Sequence, residues 1–390
     1  MKRHIMPKIT ANLTKDVAIA NQSLVSQGMI SLAPDDNSPT LPLDLVMVLD
    51  VSTSMKGPGI QVVIDSVLFV QSMMSAQDRL AIITFDTSAR LHTSWVRNND
   101  TITGITAQGG TNFGAGINEL LNFLGQHGGD SSRAGIALFM SDGHGSKASD
   151  DHVSSIPDFG YTMHCLGVTN GANPDDLEYM AELARGRYFD APGFDDVKKK
   201  FAQLFNYGKT TILSAPVLEL DVASGVTLSE VMEVNGTALS RGNDLGPGKH
   251  TLALCNMTQG NMSQVSFKIN VDKVNLGENK LVDIEFMSGR GALNVKGTNV
   301  DTEVLGATTN NSVTVSRTTA KATRALKDGD SEQATRLVTK LETMSKTIPT
   351  ATSSATILRT VTGTSNKAEI LEAIGSITVD TKGTTVTRDN

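Results

Sequence analysis

Residues 43–55 read LDLVMVLDVSTSM, and the fold is decided there. From Leu43 to Leu49 every residue but Asp44 is apolar. That is the composition of a parallel strand buried on both faces, not the alternation of a strand with one wet face. The chain then switches to Asp50-Val51-Ser52-Thr53-Ser54. Open α/β sheets place ligand sites at the carboxyl ends of their strands. An acid followed by two spaced hydroxyls gains its weight from that position.

Working outward, strand and helix patterns alternate. Val63, Ile64, Val67, Leu68 and Phe69 recur at near-helical spacing, and LAIITF (80–85) reads as a strand. Ile117, Leu120, Leu121 and Leu124 mark a second helix, followed by the strands IALFM (136–140) and TMHCLGV (162–168). A helix around Leu177, Met180, Ala181 and Ala184 and the strand RYFDA (187–191) complete the series. Such alternation implies a doubly wound, mostly parallel sheet with helices on both faces, here over residues 41–207. Lys198-Lys199-Lys200 precedes Phe201, Leu204 and Phe205 and reads as the solvated face of a closing helix. The pairs Asp150-Asp151, Asp175-Asp176 and Asp195-Asp196 read as helix starts, where the helix dipole favours negative charge. Trp95 reads as a loop residue partly buried against the sheet edge.

The period changes after residue 212. Leu218, Leu220 and Val222 alternate with Glu219 and Asp221, and Val265, Phe267, Ile269 and Val271 alternate as strictly. Leu281, Val282, Ile284 and Phe286 follow the turn-rich LGEN, and Gly246-Pro247-Gly248 marks another turn. These are the signs of an antiparallel β-sandwich over 212–310. KITANL and GMISLA give residues 1–40 the same strand-like character, so these strands are assigned to the sandwich and the α/β unit is read as inserted into it. From 313 to 380 a small helical region is expected. Thr318 to Lys327 reads as a helix, Asp330 with Gln333 opens a second, and Ala334, Leu337, Val338, Leu341 and Met344 form its apolar stripe. Asn366 with Glu369 opens a third, carrying Ile370, Leu371 and Ile374. Packing of this stripe against the sandwich is the expected use, in preference to a partner-binding groove.

Composition excludes several functions. The chain has 390 residues, with 34 Lys and Arg against 41 Asp and Glu, for a formal net charge of −7. A general nucleic-acid binder needs clustered basic residues and is disfavoured. The longest apolar runs, Leu45–Leu49 and Ile136–Met140, fall far short of the ~18 residues of a membrane span. Two cysteines, Cys165 and Cys255, make no disulfide framework, so the expected location is the cytoplasm in preference to secretion. The Asn-x-Ser/Thr sequons at Asn12, Asn21, Asn99, Asn235, Asn256, Asn261 and Asn310 are read as accidents of an Asn-, Ser- and Thr-rich chain.

Two further signals join Asp50, Ser52 and Ser54 at strand ends. Gly109-Gly110-Thr111-Asn112 opens the second helix, and Ser141-Asp142-Gly143 follows IALFM directly. Carboxylates and hydroxyls are hard oxygen donors, suited to Mg²⁺, and no Cys/His cluster favours zinc. Catalysis is not expected. His144 lies on a Gly-flanked loop and reads as a surface residue, His164 and Cys165 sit mid-strand, and no Gly-x-Ser-x-Gly or phosphate-loop pattern occurs.

With LDLVMVLDVSTSM, DRLAIITF, GGTNFGAGI and LFMSDGHG in this order, residues 41–207 resemble the von Willebrand factor type A domain with its metal-ion-dependent adhesion site. The resemblance implies a Rossmann-like fold and assigns Asp50, Ser52, Ser54, Thr111 and Asp142 to the metal. It implies Mg²⁺, with Mn²⁺ or Ca²⁺ as substitutes, held directly or through water. An open coordination position would accept a Glu or Asp side chain of a partner protein, with Thr53, Asn112 and His144 as candidate partner contacts. The alternative is an assembly subunit in which the sandwich and helices make oligomer contacts and the metal is only structural.

Overall fold

The computed structural model describes residues 8–33, 39–96, 102–142, 144–168, 174–191, 193–234, 239, 243–287, 289–299, 310–348 and 351–362, with 364, 366, 369–370, 374, 377–379 and 385–387 beyond. The chain divides into two units, one of residues 39–216 with 255–259 and one of the remainder.

The chain opens with β1 (Lys8–Leu13), β2 (Val17–Ile19) and β3 (Leu24–Ala33). It then enters the α/β unit with β4 (Leu43–Asp50), α1 (Pro58–Met73), β5 (Arg79–Phe85), β6 (Ala89–Val96), α2 (Phe113–His127) and β7 (Ala134–Ser141). There follow α3 (Asp150–Ser155), β8 (Tyr161–Gly167), α4 (Pro174–Leu183), β9 (Arg185–Asp190), α5 (Phe194–Lys209) and β10 (Thr211–Leu213). Six strands form one sheet in the order β6-β5-β4-β7-β8-β9, parallel throughout except for antiparallel β6. The chain thus starts mid-sheet, runs to one edge, and returns to build the other half. The strand order reverses at β4, where open α/β folds bind their ligands.

β4 and β7 are buried along their whole length, as their apolar composition requires. The Asp44 carboxylate is the exception, and it is paired: both Arg79 and Arg133 reach it. On one sheet face Phe85, Phe113 and Phe139 pack together, with ring centroids 4.8 Å apart for Phe85–Phe139 and 5.3 Å for Phe113–Phe139. On the other, α5 buries Phe201 and Leu204 beside Leu43, Leu45 and Leu138. The three acidic pairs lie in the first turns of α3, α4 and α5, as expected.

Three expectations need correction in this unit. Trp95 lies on edge strand β6, not in a loop, with the Arg79 guanidinium 4.3 Å from its ring centroid. Two register breaks between β5 and β6 destroy the alternation that would have revealed the strand. Lys200 is buried while Lys198 and Lys199 are solvated; its aliphatic stem packs inward with the face of α5. Finally, β10 pairs with β14 (Met257–Thr258), so 211–216 and 255–259 belong to the α/β unit and not to the strands flanking them. The unit's ends meet, Leu41 N donating to Thr211 O at 2.9 Å.

The other unit adds β11 (Val217–Val222), β12 (Val226–Glu233), β13 (Gly248–Ala253), β15 (Ser263–Val271), β16 (Gly277–Phe286) and β17 (Gly289–Thr298). One sheet has the order β1-β3-β15-β12 and is antiparallel; the other runs β13-β11-β16-β17-β2, with β2 added in parallel. β2 and β3 therefore pair with strands more than 200 positions later, β2 with β17 and β3 with β15, while β1 pairs with β3. Gly28 is needed there, because a Cβ would run into the ring of Phe267 opposite it. Strict alternation along β11 buries Leu218, Leu220 and Val222 and exposes Glu219 and Asp221.

The helical region comprises α6 (Asn311–Lys327), α7 (Ser331–Ser345) and α8 (Ala351–Val361). Asp330 caps α7 as read, accepting Gln333 N at 3.0 Å. Ala334, Val338 and Leu341 share a core with Leu326, Ile357, Leu358, Ile370 and Ile374. Leu371 lies outside the described residues, as do Asn99, Asn235 and Gly143. Sequence reading started α6 seven residues late and missed α8. Arg317 on α6 is 2% exposed and pairs through Nη2 with Glu230 of β12, while its Nε and Nη1 have no partner. Among the described residues no helix is long and apolar enough to cross a membrane.

Candidate metal centre

Asp50 ends β4, and its place in the register makes it the last buried residue before the chain turns. It is fully buried. Oδ1 accepts the Ser52 amide at 2.8 Å, and Oδ2 accepts the Ser141 hydroxyl at 2.6 Å. Burial above all raises the Asp50 pKa; the nearby Asp142 charge adds to it, and the serine hydrogen bonds oppose it. The turn that begins at Asp50 brings Ser52 Oγ within 3.0 Å of Ser54 Oγ. Ser52 is buried and Ser54 exposed, so the pair spans the rim of the sheet.

The loop before α2 is tied to this turn. Thr53 donates from N and Oγ1 to Gly109 O, at 3.0 and 2.7 Å, and Gln108 N donates to Val51 O at 2.7 Å. Thr111, half-buried, accepts Ser146 N at its carbonyl at 3.3 Å, linking the second loop to the third. Asp142, directly after β7, is buried and accepts His144 N at 3.2 Å. Of the candidate partner contacts, Thr53 and His144 are exposed. Asn112 is built into the loops: its Oδ1 caps α2 through Ala115 N at 3.1 Å and accepts Ser146 Oγ at 3.2 Å.

Two carboxylates, Asp50 and Asp142, thus lie close enough to repel. Beside them are the hydroxyls of Ser52 and Ser54. Among the described residues no three His, Cys, Asp or Glu side chains form a metal-holding group, so the acids alone are too few. The donor set is mostly neutral oxygen, which fits a hard divalent cation that keeps several waters. Asp50, Ser52, Ser54, Thr111 and Asp142 are the residues that would hold it.

Sequence reading names Ser141 only as the neighbour of Asp142 and leaves Asp86 unmarked. Ser141 bonds to Asp50, and Asp86, at the end of β5, is buried with Oδ2 accepting Gln108 Nε2 at 3.3 Å. Both occupy strand ends, the one signal that could have found them. His164 and Cys165 lie buried on β8. Burial, with the Arg187 charge, holds the His164 pKa down to about 3, and burial pushes the Cys165 thiol up.

Residues 44–203 match the family model of the von Willebrand factor type A domain, and the chain contains such a domain. An uncharacterized protein of Synechocystis sp. is 29% identical over 217 residues, 53% of this chain and 51% of the relative. The match therefore spans about half the length of that relative. Among solved structures, a von Willebrand factor type A protein from Catenulispora acidiphila aligns with a TM-score of 0.68 at 14% identity, covering 100% of this chain and 95% of its own. The ArnB paralog VWA2 from Sulfolobus acidocaldarius aligns with a TM-score of 0.69 at 13% identity, covering 98% and 100%. At these identities the likeness is one of fold.

Proposed function

We propose that this chain is a metal-dependent protein-recognition module. Its α/β edge would hold Mg²⁺ and take an acidic side chain of a partner into the ion's coordination. Domains of the matched family generally mediate protein–protein interaction. The observation that carries the reading is the turn at Asp50. A buried carboxylate organises it from below, and Ser54 and Thr53 stand exposed above. A cation held mainly by hydroxyls and water keeps most of its double charge, so it attracts a carboxylate from outside.

In this reading the edge binds and does not catalyse. Catalysis would need a base or nucleophile beside the ion, and His144 is an exposed loop residue whose amide bonds to Asp142. The test is co-purification of partners by the full chain in Mg²⁺, in EDTA, and with Asp50→Ala. Partners retained in Mg²⁺ and lost in the other two arms support the reading. Equal capture in all three arms would leave the metal a structural part and favour an assembly subunit.

A further inference from the structure

The turn after β5 contributes none of the five expected ligands, yet the loop carrying Thr111 is tied to it repeatedly. The Asp86 carbonyl accepts Asn112 N at 2.8 Å, and Asp86 Oδ2 accepts Gln108 Nε2 at 3.3 Å. Thr87 Oγ1 accepts Gly110 N at 2.8 Å. Gly109, at φ +70°, lies flat against this turn, where a Cβ would meet the Asp86 Cβ and Cγ at 3.1 Å. The Asp86 carboxylate is fixed from its other side, Oδ1 accepting Ser88 N at 2.9 Å.

Asp86, Asp50 and Asp142 end the adjacent strands β5, β4 and β7 or directly follow them. They are not one cluster of acids around a common point. The Asp86 carboxylate is engaged by Gln108 and Ser88 instead.

We infer that Asp86 is a positioning residue of the metal edge: its carboxylate and carbonyl clamp the 108–112 loop, and with it Thr111, against the turn that bears Ser52 and Ser54. The inference rests on the metal reading above and deepens it. The opposite jaw of the clamp is Val51 O and Thr53, which bond to Gln108 N and Gly109 O. A neutral hydroxyl is a weak ligand, and ordering a loop costs conformational entropy. Thr111 therefore contributes to cation affinity only if its loop is held before the cation arrives. Groups that orient ligands from behind typically change metal affinity about 10–100-fold when removed. Acting through Gln108, Asp86 also adds no third carboxylate to the ion, which leaves the ion's charge for a partner.

The test uses the full chain with Mn²⁺ as the probe. Affinity is read by calorimetry, and amide exchange of residues 108–112 and the melting temperature are read in EDTA. Asp86→Ala is expected to weaken Mn²⁺ binding about tenfold or more. It should also speed exchange at Asn112, with melting within a few degrees of wild type. Asp86→Asn keeps one acceptor oxygen and turns the other into a donor, so it can satisfy Gln108 or Ser88 but not both, and its affinity is expected to fall between those of wild type and Asp86→Ala. If Asp86→Ala fails to fold, Gln108→Ala, which removes the partner and spares the strand, is expected to show the same loss. Unchanged affinity or unchanged exchange overturns the inference. Wild-type affinity in Gln108→Ala also overturns it, because Asp86 would then act by its charge and not through Gln108. A wild type that takes up no Mn²⁺ defeats the metal reading and this inference together, whereas a binding wild type with an equally binding Asp86→Ala defeats only the inference.

Discussion

Ser141 donates its hydroxyl to Asp50 Oδ2 at 2.6 Å, joining the ends of β4 and β7 beneath the candidate metal edge. The bond satisfies a carboxylate that burial would otherwise leave without a donor on that oxygen. A hydrogen bond to a charged group contributes about 1.5–3 kcal/mol. Ser141→Ala is therefore expected to lower the unfolding free energy by about 2 kcal/mol. Urea unfolding at pH 7 in EDTA is the measurement, and an unchanged midpoint would contradict it.

Asp142 lies one residue past β7, outside the sheet and at the proposed metal edge. Its charge raises the Asp50 pKa, so the two acids destabilise each other without a cation. In Asp142→Ala the rise in melting temperature on adding Mg²⁺ is expected to vanish. Melting in EDTA should match or slightly exceed wild type. A retained Mg²⁺ shift would remove Asp142 from the ligand set.

His164 is buried, accepts the Arg187 amide at Nδ1 at 3.1 Å, and has no partner at Nε2. Burial first, and the Arg187 charge second, hold its pKa down to about 3 against an ordinary value of 6.5. Between those values the unfolded chain binds the proton and the folded chain does not, so stability is full above pH 6.5 and falls as the pH drops toward 3. By pH 4.5 the loss from this residue is about 3 kcal/mol. His164→Gln should flatten that limb in paired denaturation curves at pH 7 and 4.5; identical slopes would count against it.

Asp78 and Lys209 form a partly buried pair, with Lys209 Nζ 2.6 Å from Oδ2. Burial raises the Asp78 pKa, but Lys209, the Leu43 amide and Ser75 together outweigh it and lower the pKa below 3.8. Stability from this carboxylate is present above pH 3.8 and is lost as the pH falls through its folded value. Lys209→Met strips the cation from a buried carboxylate and is expected to cost about 2 kcal/mol at pH 7. Its acid unfolding midpoint should move to higher pH.

Arg317 and Glu230 predict an asymmetry. Glu230→Gln leaves a buried guanidinium with weaker compensation and is expected to cost about 3 kcal/mol. Arg317→Met removes the cation and its two unpartnered nitrogens, leaves Glu230 paired with Lys321, and should be nearly neutral. Equal destabilisation by both would show that Arg317 contributes through packing.

The parts legible in the sequence were those where burial and position agree. The unbroken apolar runs of β4 and β7 announce a sheet buried on both faces. The motif residues follow directly on them, so position at strand ends marks Asp50, Ser52, Ser54 and Asp142, and the family resemblance assigns them to a metal. Asp86 is not marked, because an isolated Asp at a strand end has no spacing partner, and Ser141 is marked only as the neighbour of Asp142. β6 was hidden by its two register breaks. The early turns of α6 and all of α8 are rich in Ser and Thr, which are modest helix formers; buried contacts around Ser316, Thr319, Thr323 and Ser354 override that preference.

The hydrogen bond from Leu41 N to Thr211 O has a consequence for synthesis on the ribosome. Among the described residues β1 pairs only with β3, and β15, the other partner of β3, is translated more than 200 residues later. Until then β1 and β3 present open edges, the kind of surface on which nascent chains aggregate. Once residues 39–216 fold, the two ends of that long stretch are drawn together. The distance along the chain that β3 must search for β15 then shrinks from hundreds of residues to a few dozen. Loop closure costs grow with the logarithm of that length, so early folding of the inserted unit would act as a template that shortens the wait. Variants that slow that unit's folding should raise aggregation of nascent chains through β1 and β3, even where the finished protein is equally stable.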